Sequence, residues 1–365
     1  MRLYKMELYK ICSKKFFIIG VICVIGLVLL KFSLQVMDEE ATVNGTSYIG
    51  FRAIKVNREI TEEFKGIITD EKIEKIVEKY GLPSKVERGW GYFRDANFLN
   101  QFVLDYCSNG YIHSENDYKI ATEIYPIADS LGKAEELTGK GVVLEYYHGL
   151  EAFLEVLSFG MVLGSILVIV SLSGIFAGEG QTKMLPLLFT TKEGKTRDVY
   201  AKIAAALTVT IGVWMGIFFL DLVLCGIVYG FDGMHCYNGM VLYYLFPSEE
   251  YLIPMYEYMA KAILLNFFGI VSLCFMTISI SAFYKSSFSA IITAAVWYAA
   301  PVLAMMFIDG FYGIARLLAA APVFMVIYRI VDDIYQIWLM LIWITIIVSL
   351  FCAKIAYRKY NRQIV

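Results

Sequence analysis

Apolar residues along this chain gather into blocks, and the blocks are long. Six stretches are continuous enough to cross a hydrocarbon core as helix, which takes about 20 residues at the helical rise. They are Phe16–Val36, Ala152–Phe176, Ile203–Tyr229, Met259–Phe283, Phe288–Ile308 and Tyr335–Tyr357. In lipid every backbone N–H and C=O must be satisfied within the segment, so each block is expected to be a helix in spite of its many Val and Ile residues. Lys31 interrupts the first block near one end, where its ammonium can snorkel to the headgroups. No small-x-small site follows Leu30, so the first block reads as an uncleaved anchor.

A seventh apolar segment, within 313–330, is too short to span. It reads GIARLLAAAPVFMVIY from Gly313 to Tyr328, with Pro322 inside it and Arg316 near its start. It is expected to be re-entrant or interfacial.

Between the first two blocks, residues 38–149 change character. Apolar positions Ile60, Phe64, Ile67, Ile68, Ile73, Ile76, Val77 and Tyr80 fall largely at helical spacing. Thr69-Asp70-Glu71 supplies a cap with negative charge for a first turn, and Gly81-Leu82-Pro83 a stop. A second short helix is predicted over Asn97–Tyr106. The segment is long enough to bury a modest core of its own, mainly α or α+β. Its tyrosines, Tyr146 and Tyr147 among them, are expected in core and rim. The fold class that follows is an all-α polytopic membrane protein: residues 1–37 as amino terminus and first span, 38–149 as an inserted domain, and 150–365 as five further spans.

Composition agrees. Hydrophobic residues make up 58% and charged residues 18% of 365, with mean hydropathy +0.61, against about 45–50% and about 25% in soluble domains. Asp38–Glu145 holds 20 acids and 13 bases, while the remainder holds 14 acids and 19 bases. A net charge of −2 argues against nucleic acid as a partner. Basic residues orient the spans. Arg2, Lys5, Lys10, Lys14 and Lys15 precede the first; Lys183, Lys192, Lys195, Arg197 and Lys202 fall between the second and third; Lys285 follows the fourth; Arg358, Lys359 and Arg362 follow the sixth. Gly230–Glu257, on the opposite side, has no Lys or Arg. Both termini are therefore expected in the cytoplasm of a cell-membrane protein, with 38–149 extracellular.

Candidate chemistry is sparse. Gly132-Lys133 and Gly139-Lys140-Gly141 lack the spacing of a phosphate loop, and neither H-E-x-x-H nor G-x-S-x-G occurs, so the chain is not expected to be an enzyme. His113 and His148 read as surface histidines, without zinc-ligand spacing. Asn44-Gly45-Thr46 matches a glycosylation sequon by pattern alone. Of seven cysteines, Cys107 and Cys236 fall on the outer side, and whether they pair is open. Asp221 is expected near the outer headgroups beside Tyr229, and Asn266, Thr277, Ser279 and Ser281 at helix contacts. Gly160/Gly164, Gly212/Gly216 and Gly226/Gly230 are small-xxx-small pairs that let helices approach closely.

The most informative stretch joins the second and third blocks, 177–201. Glu179 leaves the membrane; Met184, Leu185, Leu187, Leu188 and Phe189 form a short apolar segment; Thr190-Thr191-Lys192-Glu193-Gly194-Lys195 follows, then Arg197 and Lys202. Such a segment is too short to span and too apolar for a free loop, so it is expected to lie on the membrane or in a protein groove. Together with the six-span layout and the broken segment around Pro322, this stretch resembles the permease subunit of type-2 ATP-binding cassette (ABC) exporters. A bacterial subgroup of that family also carries an external domain after its first span.

The resemblance implies a cytoplasmic coupling helix within 177–201 that docks on a separate ATP-binding subunit, with Glu179, Leu185, Leu188, Thr190, Lys192 and Arg197 as the coupling residues. It implies that ATP is used by that subunit, that this chain binds no cofactor of its own, that a second permease copy completes the path, and that a lipophilic or peptide-like substrate leaves the cell. The alternative is a membrane sensor or signalling subunit whose external domain binds a ligand without transport.

Overall fold

The computed structural model describes residues 2–82, 96–109, 123–181, 196–243, 252–305, 307, 318–327 and 337–362. Among the described residues, six helices are long and apolar enough to cross a membrane. In chain order the helices and strands run α1 (Arg2–Cys12), α2 (Lys15–Met37), β1 (Glu40–Val43), β2 (Thr46–Ile49), α3 (Phe51–Glu62), β3 (Gly66–Ile67), α4 (Asp70–Tyr80), α5 (Phe98–Tyr106), α6 (Ile127–Ser130), α7 (Gly132–Thr138) and β4 (Val143–Leu144). They continue through α8 (His148–Leu172), α9 (Gly174–Gln181), α10 (Arg197–Val228), α11 (Met255–Ser281), α12 (Ser287–Met305), α13 (Pro322–Ile327) and α14 (Trp338–Arg362). The chain is thus a multi-pass membrane protein, with spans at α2, α8, α10, α11, α12 and α14. Burial ranks them: 61% of the second span and 56% of the fourth lie inside the molecule, against 17–22% of the other four. Their outward apolar side chains, such as Ile22, Val296, Trp297 and Trp343, therefore need lipid around them.

Contacts divide the chain into two compact units. The first contains residues 1–29, 156–221 and 260–365. Its core gathers Ile169, Leu273, Ala294, Tyr298, Val323 and Phe324. Pro322 opens α13 rather than breaking it, a position where the missing N–H costs nothing. Val323 to Val326 are all buried, so this part of the segment lies within the unit's core.

Two polar pins hold the first unit. The Asn266 carboxamide accepts from Trp214 Nε1 and donates to the Val326 carbonyl, both at 2.9 Å. Where the second span bends, Ser281 Oγ donates to the Ser173 carbonyl at 2.7 Å and accepts from the N–H groups of Phe176 and Ala177 at 3.1 and 3.2 Å. That bend separates α8 from α9, and the bonds satisfy backbone groups that a break in the helical ladder releases.

The second unit contains residues 30–155 and 222–259. It is α+β, with two antiparallel pairs, β1–β2 and β3–β4. Asn44 (φ 52°) and Gly45 (φ 75°) turn the first hairpin, in register from Glu40↔Ile49 to Val43↔Thr46. This is the Asn-Gly chemistry that a two-residue hairpin loop demands. The helical periodicity noted over 60–80 divides into the end of α3, the two residues of β3, and α4. Thr69 caps α4 by accepting from Lys72 N–H, and Gly81 ends it at φ 70°. A reciprocal capping box between Asn97 and Asn100 opens α5. The Asn57 side chain accepts from Phe98 N–H at 3.1 Å, joining α3 to α5. Phe98 packs edge-on against Tyr146 and Tyr147.

Candidate functional site

Among the described residues, the densest group of buried charge lies in the first unit, where α1, α9, α10 and α14 meet. Asp198 stands in the first turn of α10, where the helix macrodipole favours a carboxylate. Lys202 is one turn later and has no exposed surface. Its ammonium lies 2.6 Å from Glu179 Oε1, 3.0 Å from Glu7 Oε2 and 3.4 Å from Asp198 Oδ2. Tyr360, near the end of α14, donates its hydroxyl to Glu179 Oε2 at 2.6 Å and lies 3.3 Å from Asp198 Oδ2. Its ring tilts against Phe176 at 4.7 Å.

Three carboxylates thus surround one buried ammonium. Lys10 supplies a second positive charge, pairing with Glu7 and lying 3.7 Å from Glu179. Lys14 is close enough to feel both Glu7 and Lys10; burial pushes its ammonium below the ordinary lysine range, and the Glu7 carboxylate opposes that. A buried carboxylate without such partners would be costly, so the group holds together only as a set.

The arrangement is a clasp. In sequence Glu179 precedes residues 182–195 and Lys202 follows them, and one ion pair joins the two. The same pair is tied to the amino-terminal helix through Glu7 and to the last span through Tyr360. Among the described residues no three His, Cys, Asp or Glu side chains converge as metal ligands.

Of the sequence-derived coupling residues, Glu179 sits in the clasp and Arg197 opens α10, exposed. Leu185, Leu188, Thr190 and Lys192 lie outside the described residues. Glu179 is turned inward, engaged by Lys202 and Tyr360, rather than presented at a surface. Glu7, Asp198 and Tyr360 were not singled out from sequence. A signal existed for two of them. Glu7 is the sole acid before Asp38, and Asp198 and Lys202 have i, i+4 spacing at a helix start.

The glycine pairs behave differently. A Cβ added at Gly160 or Gly164 would come within 2.7 Å of the Ile217 side chain, so α8 and α10 pack closely there. At Gly212 and Gly216 a Cβ would meet nothing within 4 Å. Gly226 faces the Phe231 ring, and Gly230 adopts φ 77° under the Arg58 guanidinium. Asp221 is fully buried.

In the second unit, His148 Nδ1 lies 3.1 Å from Glu39 Oε2, so this histidine is partnered and half-buried rather than on the open surface. His113 lies outside the described residues. Cys107 and Cys236 are both buried free thiols. Burial pushes each up to about 12.

No family model, curated protein or solved structure matches this chain.

Proposed function

We propose that this chain is the permease subunit of an ATP-driven exporter, coupled to a separate ATP-hydrolysing subunit through residues 182–195. The supporting observation is the Glu179–Lys202 clasp. A stretch that receives force from a partner must pass it to the spans without local yielding, and Glu179 and Lys202, which flank this one in sequence, are joined by a buried ion pair. Tyr360 and Glu7 extend that connection to the last span and to the amino-terminal helix.

In this reading the positive-inside distribution places the clasp on the cytoplasmic side, where ATP is found. The apolar side chains Leu185 and Leu188 enter a groove on the ATPase, and Thr190, Lys192 and Arg197 flank that contact with polar and positive groups. Glu179 acts differently from the others: it transmits, by holding the segment to Lys202 and Tyr360. In this reading ATP is bound and used by the separate subunit. A second permease copy completes the path, and the apolar spans suit a lipophilic or peptide-like cargo.

The test is purification of the full-length chain from its native membrane in mild detergent. An ATP-binding protein is expected to co-purify, and Leu188→Asp to remove it while leaving the thermal midpoint unchanged. Recovery of a histidine kinase in its place supports the sensor reading, and recovery of an ATPase indifferent to Leu188→Asp removes residues 182–195 from the contact.

A further inference from the structure

The second unit carries a groove at the point where its α+β part meets the end of a span. One face of α3 contributes Phe51, Lys55, Arg58, Glu59 and Glu62; the opposite wall is Val228, the last residue of α10. The cavity measures about 480 Å³. Its charges are balanced, with two bases and two acids along a single helical face.

The groove continues an apolar track. Val223 and Ile227, one turn apart on α10 and leading to Val228, are 54% and 77% exposed. On a span such residues face acyl chains. Phe51, 64% exposed, also lines the groove, and aromatic rings favour the headgroup layer.

The polar side chains have partners of their own, Glu62 with Lys65 at 3.3 Å among them. Arg58 is braced by Asp232 at 3.2 Å, and Asp232 also lies 3.3 Å from Lys65. Gly230, at φ 77°, leaves room for the guanidinium: a Cβ there would lie 2.7 Å from Arg58 Nη2. Lys55 and Glu59 are paired only loosely, at 3.7 Å, and both are mostly exposed. Such a pair contributes little and opens readily to a ligand with complementary charge.

We infer that this groove binds the headgroup of a zwitterionic phospholipid, its phosphate beside Lys55 and Arg58, its ammonium beside Glu59 and Glu62, and its acyl chains along Val223 and Ile227. An anionic headgroup would satisfy the bases but lie against the carboxylates of Glu59 and Glu62, of which Glu62 is shared with Lys65 at 3.3 Å. The site depends on the membrane placement of α10 and not on the transport reading.

Native mass spectrometry of the full-length protein tests it, with phosphatidylethanolamine and phosphatidylglycerol of identical chains supplied in equal amount. Phosphatidylethanolamine is expected to be retained in preference. Lys55→Gln with Glu59→Gln is expected to weaken that retention by about three- to tenfold, the scale of two modest ionic contacts. Since both side chains are exposed, the thermal midpoint should not move. Phe51→Ser provides a second variant, acting on an apolar side chain of the groove. Equal retention of the two lipids, a preference for phosphatidylglycerol, or a phosphatidylethanolamine preference untouched by either variant overturns the assignment.

Discussion

Lys202 donates to Glu179 across 2.6 Å, joining residues 23 apart in sequence with no exposed surface on the lysine. Removing the cation leaves Glu7, Glu179 and Asp198 facing one another in a buried space. Lys202→Met is therefore expected to destabilise the protein by about 3–5 kcal/mol, the usual cost of breaking a buried pair from one side. Glu179→Gln keeps a hydrogen-bond acceptor, leaves two acids for Lys202, and should cost distinctly less. Denaturant titration in detergent micelles, followed by tryptophan fluorescence, measures both. Equal loss in the two variants would contradict the view that Lys202 is the hub.

Tyr360 gives a more delicate probe. Its hydroxyl serves Glu179 and Asp198 together, and hydrogen bonds to charged groups contribute about 1.5–3 kcal/mol. Tyr360→Phe should lose an amount in that range and should raise the protease sensitivity of the carboxyl-terminal turn of α14. Tyr357→Phe, whose ring lies 6.1 Å from that of Tyr200, is the control and should change neither.

The two glycine pairs should separate cleanly. Gly160→Leu must displace Ile217 and Val28, and over-packing of this kind costs about 1–3 kcal/mol. At Gly212 a Cβ meets no described atom within 4 Å, so Gly212→Leu should leave stability intact. If α10 meets the proposed second copy through the exposed Gly212/Gly216 stripe, Gly212→Leu should reduce dimer recovery after cross-linking in membranes.

The thiols of Cys107 and Cys236 should be silent. Alkylation requires the thiolate, and burial raises both groups to about 12, so at pH 7.5 the reactive fraction is on the order of 10⁻⁴ to 10⁻⁵. Reactivity rises with pH, about tenfold per unit, until the group titrates. Mass spectrometry after iodoacetamide treatment should find both residues unmodified in folded protein and modified after denaturation, with no disulfide between them.

How far the sequence led differs by element. The six spans were legible because lipid removes every alternative to helix, so length and apolarity suffice. Thr69 marked the start of α4 because capping is local chemistry. The hairpin at Asn44-Gly45 was equally local but was read only as a sequon, although two residues with positive φ are what an Asn-Gly turn supplies. The burial of α13 was not legible: the same apolar run suits an interface or a core, and only the Asn266–Val326 bond and the contacts to Ile169 and Leu273 decide. The clasp was half visible. Glu179 and Lys202 stood out by position, but the inward turn of Glu179 depends on Glu7 and Tyr360, which approach from both ends of the chain.

Under the proposed function, residues 182–195 couple this chain to a separate ATPase. The most direct measurement is the rate of ATP hydrolysis by the co-purifying subunit in proteoliposomes, with and without the full-length chain. Stimulation by the wild-type chain, reduced by Glu179→Gln and abolished by Leu188→Asp, is the predicted result. A hydrolysis rate indifferent to the chain and to both substitutions would contradict it.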